Sequence, residues 1–255
     1  MAAHATVTIG LSLDVTMAAR PNWLLKALEP EVRARFAPQL RVVDLPRGES
    51  LQHPGDAVHK VYFPEGALVG LISTMPKGET VQTALVGWDG AVGAFEACGT
   101  RQSAFLAEVQ VAGAAWVMSG DDYRRMYEAS EALRTAVHKY VEILLTEARQ
   151  FAACNALHGV EARLSRSVLE ALERSREGLA LPMTQEALAE MLGVQRTTVT
   201  AAVAALQASG ALRSTRGVVE VLDRAALEAT ACVCREVLQT ARANIYGSDR
   251  KACDE

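Results

Sequence analysis

The chain has 255 residues, of which half are apolar and 22% are charged, and 26 Lys and Arg against 30 Asp and Glu give a net charge of −4. This is the composition of an ordinary globular protein, and it excludes a collagenous, disordered or low-complexity chain. The acidic balance gives no general signal for nucleic acid or an anionic membrane, so a surface that binds either one has to be local. The length favours two domains.

The cysteines indicate a reducing compartment, because an odd number of them is scattered through a chain too large to need disulfides. They are Cys98, Cys154, Cys232, Cys234 and Cys253. The N-terminus carries neither a basic, apolar leader nor a spanning segment, so we expect a cytoplasmic protein that does not contact membranes. Residues 1–20 are interpreted as a flexible arm.

Residues 21–130 predict an antiparallel β-roll behind two short helices. Asn22 is the predicted N-cap of the first helix, and the second is predicted from Glu31 to Leu40. From Arg41 onward, short apolar runs alternate with turns rich in Pro and Gly, which is typical of a sandwich or small barrel. The predicted strands contain Val43 and Leu45, and then residues 58–63, 68–72, 81–86, 105–111 and 114–118. A helix capped by Ser119 follows the last strand.

Residues 131–157 predict a long helix that joins two copies of the chain. Apolar residues recur along it at spacings of four and three, which is the pattern of a coiled-coil stripe. The stripe consists of Val137, Val141, Leu144, Ala148, Phe151 and Asn155. The alternative interpretation is an amphipathic helix packed on its own domain. Dimerisation is favoured because Asn155 falls where a polar residue commonly fixes the register.

Residues 158–230 predict a winged helix-turn-helix domain. A helix runs from Val160 to Arg176, and a shorter one begins at the N-cap Thr184 and stops at Gly193. A further helix follows Val194, and in this arrangement the second helix of the pair lies in the DNA major groove. Its exposed first turns present Gln195, Arg196, Thr197, Thr198 and Thr200. These side chain types can contact base edges and phosphates.

Two short predicted strands around Arg216 and Gly217 form the wing, which places Arg213 and Arg216 on the phosphate backbone. Between Gly193 and Val219 there are three arginines and no acidic residue, so we expect a local basic surface. Residues 231–255 are predicted to form a C-terminal helix or tail.

The order of these parts resembles the CRP/FNR family of bacterial transcription regulators. The resemblance is carried by Leu-Pro-Met-Thr-Gln-Glu-Ala-Leu-Ala-Glu-Met-Leu-Gly-Val-Gln-Arg-Thr-Thr-Val-Thr at 181–200 and by Arg-Gly-Val-Val-Glu-Val-Leu-Asp-Arg at 216–224. It implies an α+β protein: a cyclic-nucleotide-binding-like β-roll, a dimerisation helix, and a winged helix-turn-helix that reads a palindromic operator. Arg196 matches the arginine that contacts guanine, and Thr184 matches a helix start that contacts phosphate. Thr197 and Ala201 depart from the Glu and second Arg of some members, so the operator sequence is not carried over.

The candidate effector pocket departs from the cyclic-nucleotide pattern of the family. Gly90 and Ala91 stand where nucleotide binders have Gly-Glu, and Gln102 and Ser103 stand where they have Arg-Ser. Arg101 is one residue off, and neighbouring strand residues point to opposite faces. We therefore expect no binding of cyclic AMP. The roll either binds another effector or is filled by Leu71, Val86, Phe95, Phe105 and Trp116.

The sequence predicts no cofactor and no metal site. Cys232 and Cys234 form a C-x-C pair without two further ligands, and His53, His59, His138 and His158 show no ligand spacing. An enzyme of the cupin type, with His53, His59 and Glu65 on a metal, is disfavoured because Pro54-Gly55-Asp56 and Pro64 interrupt the strand.

The function predicted from the sequence is a non-enzymatic, DNA-binding homodimeric regulator. Its expected partners are palindromic double-stranded DNA, a second copy of the chain, RNA polymerase and an unidentified small-molecule effector. The alternative is a ligand-binding or protein-interaction module that keeps a degenerate winged helix.

Overall fold

The computed structural model describes residues 22–175 and 178–247. The predicted arm at residues 1–20 and the predicted helix end at Arg176 lie outside these ranges. The helices are α1 Trp23–Lys26, α2 Pro30–Phe36, α3 Ala94–Cys98, α4 Gly120–Ala129, α5 Glu131–Leu157, α6 Val160–Arg174, α7 Gln185–Leu192, α8 Arg196–Ala208, α9 Arg224–Thr230 and α10 Cys234–Tyr246. No helix in these ranges is long and apolar enough to cross a membrane.

Antiparallel sheets form the N-terminal roll and the wing. The strands are β1 Arg41–Leu45, β2 Ser50–Gln52, β3 Lys60–Pro64, β4 Leu68–Thr74, β5 Thr80–Val86, β6 Leu106–Val111, β7 Gly113–Ser119, β8 Ala180–Leu181, β9 Leu212–Thr215 and β10 Val218–Val221. In the roll, one sheet has the order β1-β7-β3 and the other β2-β6-β4-β5, while the wing has the order β8-β10-β9. The predicted α+β architecture is confirmed.

Local signals placed several elements correctly. The Asn22 side chain accepts a hydrogen bond from the Leu24 amide, and the Ser119 hydroxyl accepts one from the Asp122 amide, so both predicted caps are present. The prediction of one helix from Glu31 to Leu40 was wrong. The α-helix ends at Phe36 and a 3₁₀ turn follows, because Pro38 has no amide hydrogen to continue the ladder.

The interior of the roll is filled by side chains of its two sheets. The cluster consists of Leu45, Tyr62, Ala67, Val69, Leu71, Ala84, Val86, Val92, Ala107, Val109 and Ala115, with Phe105 half-buried against it. Two residues predicted to fill the roll lie elsewhere. Trp116 packs in the helical core and donates from Nε1 to Glu65 Oε1 at 2.7 Å, and Phe95 is 37% exposed.

Helix α3 buries an acidic side chain that has no partner. Glu96 is 4% exposed, and neither of its carboxylate oxygens has a hydrogen-bond partner in the described ranges. Burial raises the pKa of Glu96 to about 7 from its ordinary 4.5. The protonated form is therefore the one that the folded chain favours. Its contribution to stability is fully present below about pH 4.5 and is lost as the pH rises through about 7.

We predict that Glu96→Gln removes the loss of stability that the wild type shows as the pH rises. At pH 8 the variant should exceed the wild type in free energy of unfolding by on the order of 2 kcal/mol, while at pH 4 the two should agree. Chemical denaturation at several pH values measures the difference, with the exposed Glu31→Gln on α2 as a control. A constant difference across the range would contradict the prediction.

Candidate nucleic-acid interface

The helix-turn-helix is set by a cap, a left-handed glycine and a shared apolar core. The Thr184 hydroxyl accepts from the Ala187 amide and starts α7. Gly193 ends α7 at φ 61°, a left-handed conformation that disfavours a side chain. Helices α6, α7 and α8 then bury one cluster, which includes Leu164, Val168, Leu188, Leu192, Val199, Val203 and Leu206. This core holds α8 against α7 and fixes which face of α8 is outward.

The residues predicted to read DNA lie on the outward face. All five of the first-turn candidates are exposed: Gln195, Arg196, Thr197, Thr198 and Thr200. The Thr200 hydroxyl is 2.8 Å from Gln185 Oε1, a contact that joins the start of α7 to the second turn of α8. The side chain of Arg196 is 67% exposed and lies 3.5 Å from the Glu186 carboxylate.

The wing presents one paired and one unpaired arginine. Arg213 on β9 pairs with Glu220 on β10 at 2.5 Å, and both side chains are exposed. Arg216 lies at the turn between these strands, exposed and at φ 46°, and in the described ranges no ion pair involves it. Gly217 beside it lies close to Thr184, so the wing tip and the start of α7 form one surface. The prediction of a plainly basic surface was wrong, because Glu186 and Glu220 offset two of the three arginines.

A cleft of about 640 Å³ separates this surface from the roll. Across it, Gly193 contacts Val81 of β5 so closely that an added Cβ would lie 2.9 Å from a Val81 methyl. The cleft is lined by Arg47, Glu79 and Glu108 of the roll and by Thr184, Glu186, Glu190, Gln195 and Arg196 of the helix pair. Burial raises the pKa of Glu108, and the nearby Glu190 raises it further, against a lowering by Arg47.

Three of the four candidate effector residues are held by structural contacts. A Cβ on Gly90 would lie 2.4 Å from the Tyr140 ring of α5, and the Tyr140 hydroxyl donates to the Ala91 carbonyl at 3.1 Å. Ser103 is buried and donates to the Phe105 carbonyl at 2.8 Å, whereas Gln102 is exposed. The structure therefore packs Gly90 and Ala91 against α5 instead of opening them to a ligand.

The predicted dimer stripe on α5 is partly used within the chain. Val137 is 3% exposed and belongs to the helical core, so its assignment to an interface is corrected. Leu144 is half-buried on the same side, and Phe151 lies under the guanidinium of Arg166, 4.4 Å from ring centroid to Cζ.

The outward apolar face of α5 runs along a different row. Val141 is 39% and Leu145 49% exposed, and Ala148, Ala152 and Asn155 are exposed as well. These residues are spaced by four and three and therefore share one side of the helix. The periodicity suggested Leu144 for this row, and the structure places Leu145 there.

Helix α6 is joined to the roll by buried ion pairs. Arg174 Nε lies 3.2 Å from Asp89 Oδ2, its Nη1 donates to the Leu85 carbonyl at 2.8 Å, and its Nη2 bonds Glu147 of α5. Arg242 of α10 donates from Nε to the same Glu147 oxygen at 2.8 Å. Burial by itself raises the pKa of Glu147, but Arg174 and Arg242 outweigh it and hold that pKa below its ordinary value. This network was not predicted from the sequence, because its members are far apart in the chain.

The expectation that the C-x-C pair lacks further ligands was wrong. Cys154, His158, Cys232 and Cys234 bring four ligand atoms within 4.8 Å of one another. Within residues 22–175 and 178–247, no other group of His, Cys, Asp and Glu side chains is close enough to share a metal ion. His53, His59 and Glu65 therefore do not form a metal site. The cupin arrangement therefore receives no support, and Glu65 instead accepts the Trp116 hydrogen bond.

Comparison with known proteins identifies the DNA-binding region and the fold. Residues 162–230 match the family model of the Crp-like helix-turn-helix domain. No curated protein matches the sequence.

Three solved structures illustrate the likeness of fold. CLP, the c-di-GMP responsive global regulator of Xanthomonas campestris, has 17% identity and a TM-score of 0.61 over 76% of this chain and 99% of that chain. FixK2 from Bradyrhizobium japonicum has 14% identity and a TM-score of 0.65 over 76% and 98%. A CRP family regulator from Thermus thermophilus has 20% identity and a TM-score of 0.62 over 74% and 96%. Residues 162–230 therefore form a Crp-like helix-turn-helix domain, and the chain shares the fold of these three regulators.

Proposed function

We propose that the chain is a homodimer that binds a palindromic operator, with α8 in the major groove of each half-site. The observation that carries the proposal is the exposure of Gln195, Arg196, Thr197 and Thr200 on the first turns of α8, beside an unpaired Arg216 on the wing. Side chains of these types read base edges from a helix in the major groove. Basic side chains beside that helix contact phosphates and position the protein on the duplex. The protein then acts in the cytoplasm, where DNA and RNA polymerase are.

The side chains of the interface divide into those suited to contact bases and those suited to contact phosphates. Arg196 suits a bidentate contact with guanine, Gln195 suits adenine, and Thr197, Thr198 and Thr200 suit phosphates and thymine methyls. Arg216 at the wing tip and the amide groups at the start of α7, behind Thr184, suit phosphates. Arg213 contributes less to phosphate binding than the sequence suggested, because Glu220 already neutralises it.

The outward row on α5 supports the dimer. Val141, Leu145, Ala148 and Ala152 lie on one side of the helix and leave apolar surface exposed. Two such helices packed side by side bury that surface and relate the two recognition helices by a two-fold axis. The half-sites then lie about 34 to 36 Å apart, one turn of the double helix.

The residues of the roll favour a regulator that binds an effector other than cyclic AMP or that needs no effector. Ala91 lacks the carboxylate that a ribose requires and is covered by Tyr140 of α5, and Gln102 lacks the guanidinium that a cyclic phosphate requires. A regulator with this roll responds to its own abundance or to a ligand that binds outside these four positions.

DNA binding is further favoured by movement of the helix pair away from the roll. Thr184, Gln195 and Arg196 line the cleft, and Glu79 and Glu108 face them from the opposite wall. These carboxylates repel phosphate. Docking of the helix pair against the roll therefore opposes DNA binding, and breaking the contact between Val81 and Gly193 favours it.

We predict that Arg196→Ala and Arg216→Ala fail in different ways. Loss of Arg196 should cost about 1 to 3 kcal/mol on the preferred site and relax the choice of base at one position of each half-site. Loss of Arg216 should weaken all sequences alike and lower the salt slope by about 1 for each phosphate contact removed.

Selection from a random DNA pool followed by titration at several salt concentrations measures both effects. The control is Arg125→Ala, which removes an exposed arginine of α4. Equal losses of specificity in the two variants would contradict the assignment, and so would full binding in both.

We predict that Leu145→Glu separates the dimer. The substitution places a charge in the outward row of α5, where each copy would have to bury it against the other. Sedimentation should show a monomer, and affinity for a two-half-site operator should fall to that for a single half-site. Thr135→Glu, on an exposed position of the same helix, should remain dimeric. A dimer that persists in Leu145→Glu would place the interface elsewhere.

We predict that Val81→Asp tightens DNA binding. The new carboxylate adds a negative charge to the roll wall that already carries Glu108, opposite Glu190 of α7, and it loses the apolar contact with Gly193, so it shifts the population toward the undocked state. The expected result is a several-fold lower Kd for the operator and a larger radius of gyration by X-ray scattering. Met75→Asp, in the exposed turn between β4 and β5, is the control. Unchanged affinity in Val81→Asp would show that docking does not limit DNA binding.

A further inference from the structure

Four ligand side chains meet where the long helix ends. Cys154 and His158 lie one helical turn apart at the C-terminal end of α5, Cys232 lies between α9 and α10, and Cys234 is the first residue of α10. The three thiols are buried, with exposures of 0%, 7% and 1% in chain order, and His158 is half-buried. Two parts of the chain separated by more than seventy residues thus converge on one small volume.

The spacing of the ligand atoms fits a single ion. Cys154 Sγ lies 3.5 Å from Cys232 Sγ, and Cys234 Sγ lies 3.4 Å from His158 Nδ1. With zinc–sulfur bonds of about 2.3 Å, two ligands on one tetrahedral ion lie about 3.8 Å apart. In an iron–sulfur cluster, cysteines bound to different irons are separated by iron and sulfide and lie farther apart than 4.8 Å, whereas all four ligand atoms here lie within 4.8 Å of one another.

We infer that Cys154, His158, Cys232 and Cys234 bind one Zn²⁺ per chain in a closed, tetrahedral site. Three thiolates and one imidazole are a standard ligand set for structural zinc, and sulfur ligands disfavour magnesium, calcium and manganese. Binding releases the three thiol protons to solvent and leaves a site with a net charge of −1. No electron is transferred.

The surroundings suit a negatively charged zinc site. Gln150 Nε2 donates to Cys234 Sγ at 3.0 Å, which is the outer contact that orients a ligating sulfur. The buried guanidinium of Arg166 interacts electrostatically with both Cys154 and Cys232. Its Nε, like that of the neighbouring Arg163, has no hydrogen-bond partner in the described part of the chain. Arg166 also pairs with Glu170 at 2.9 Å, so Arg163 and Arg166 offset part of the charge of the metal and its three thiolates.

The position of the site gives zinc a mechanical role. Gly159 follows His158 directly and precedes the first residue of α6, and the Cys232 amide donates to the Ala162 carbonyl in the first turn of α6. An ion at this point ties the end of α5, the start of α6 and the start of α10 together. The metal therefore fixes the junction through which the helix-turn-helix is attached to the dimerisation helix.

The first test measures zinc in the full-length protein purified with reductant and without chelator. Elemental mass spectrometry should find one zinc ion per chain. After exchange, Co²⁺ should give the intense visible bands of a tetrahedral site and the near-ultraviolet bands of thiolate ligands. Removal of zinc by a chelator should lower the Tm. Absence of stoichiometric zinc, or a cobalt spectrum without thiolate bands, would overturn the inference.

Variants identify the ligands. Cys154→Ser and Cys232→Ser should lose most of the bound zinc, and Gln150→Ala should bind it about 10- to 100-fold more weakly, measured by competition with a chromophoric chelator. Cys98→Ser, a half-buried cysteine outside the group, is the matched control and should retain the metal. A variant that lacks a ligand can fail to fold. The Gln150 variant and the cobalt spectrum of the wild type test the zinc site without removing a ligand. Protein purified without chelator that holds no zinc and carries a Cys154–Cys232 disulfide formed by cellular oxidants, found by peptide mapping, would overturn the inference.

Discussion

The orientation of the DNA-binding region depends on the buried carboxylate of Glu147. Its Oε1 accepts from Arg174 at the end of α6 and from Arg242 on α10, while Arg174 reaches across to Asp89 and the Leu85 carbonyl of the roll. A buried carboxylate with two guanidinium partners is strongly directional, and removal of one partner leaves an uncompensated charge. Neither the roll, the long helix nor the C-terminal helix can shift against α6 without disturbing this network.

Helix α6 is consequently fixed at both ends. Arg174 attaches its C-terminal end to the roll, and the cysteine group lies beside its N-terminal end. Between these points its inner face shares one core with α7 and α8. That core also includes Leu68, Leu85 and Val111 of the roll, so the winged helix and the roll are continuous in packing. A displacement of α6 therefore disturbs the packing of α7 and α8.

The sequence was a good guide wherever a short stretch of chain determines the structure. Caps at Asn22, Ser119 and Thr184 and the left-handed Gly193 depend on neighbours within three or four residues, and all four are present. Pairings between distant residues were out of reach. Cys154 and Cys232 are separated by 78 positions, and Asp89 and Arg174 by 85. The tertiary fold assembles the cysteine and histidine site from distant residues. It could therefore not be predicted from the spacing of the C-x-C pair or of the histidines.

Surface charge shows the same limit at closer range. Arginines without intervening acidic residues from Gly193 to Val219 predicted a basic surface, but Glu186 and Glu220 lie just outside that segment and pair with Arg196 and Arg213. Exposure along α5 was also set by the fold. Periodicity alone does not distinguish Leu144, which faces the core, from Leu145, which faces outward, because the two are adjacent on the helix and only packing decides between them.

The same contacts set the energy that activation must supply. Separation of the helix pair from the roll exposes the apolar contact at Val81, relieves the repulsion between Glu108 and Glu190, and strains the bonds of Arg174. A shift from about 1% to 99% of the binding state requires on the order of 5.5 kcal/mol of differential binding. In the proposed dimer, a palindromic operator engages two recognition helices, whereas an isolated half-site engages one. Docking against the roll then opposes binding to an isolated half-site more effectively than binding to the two-fold operator.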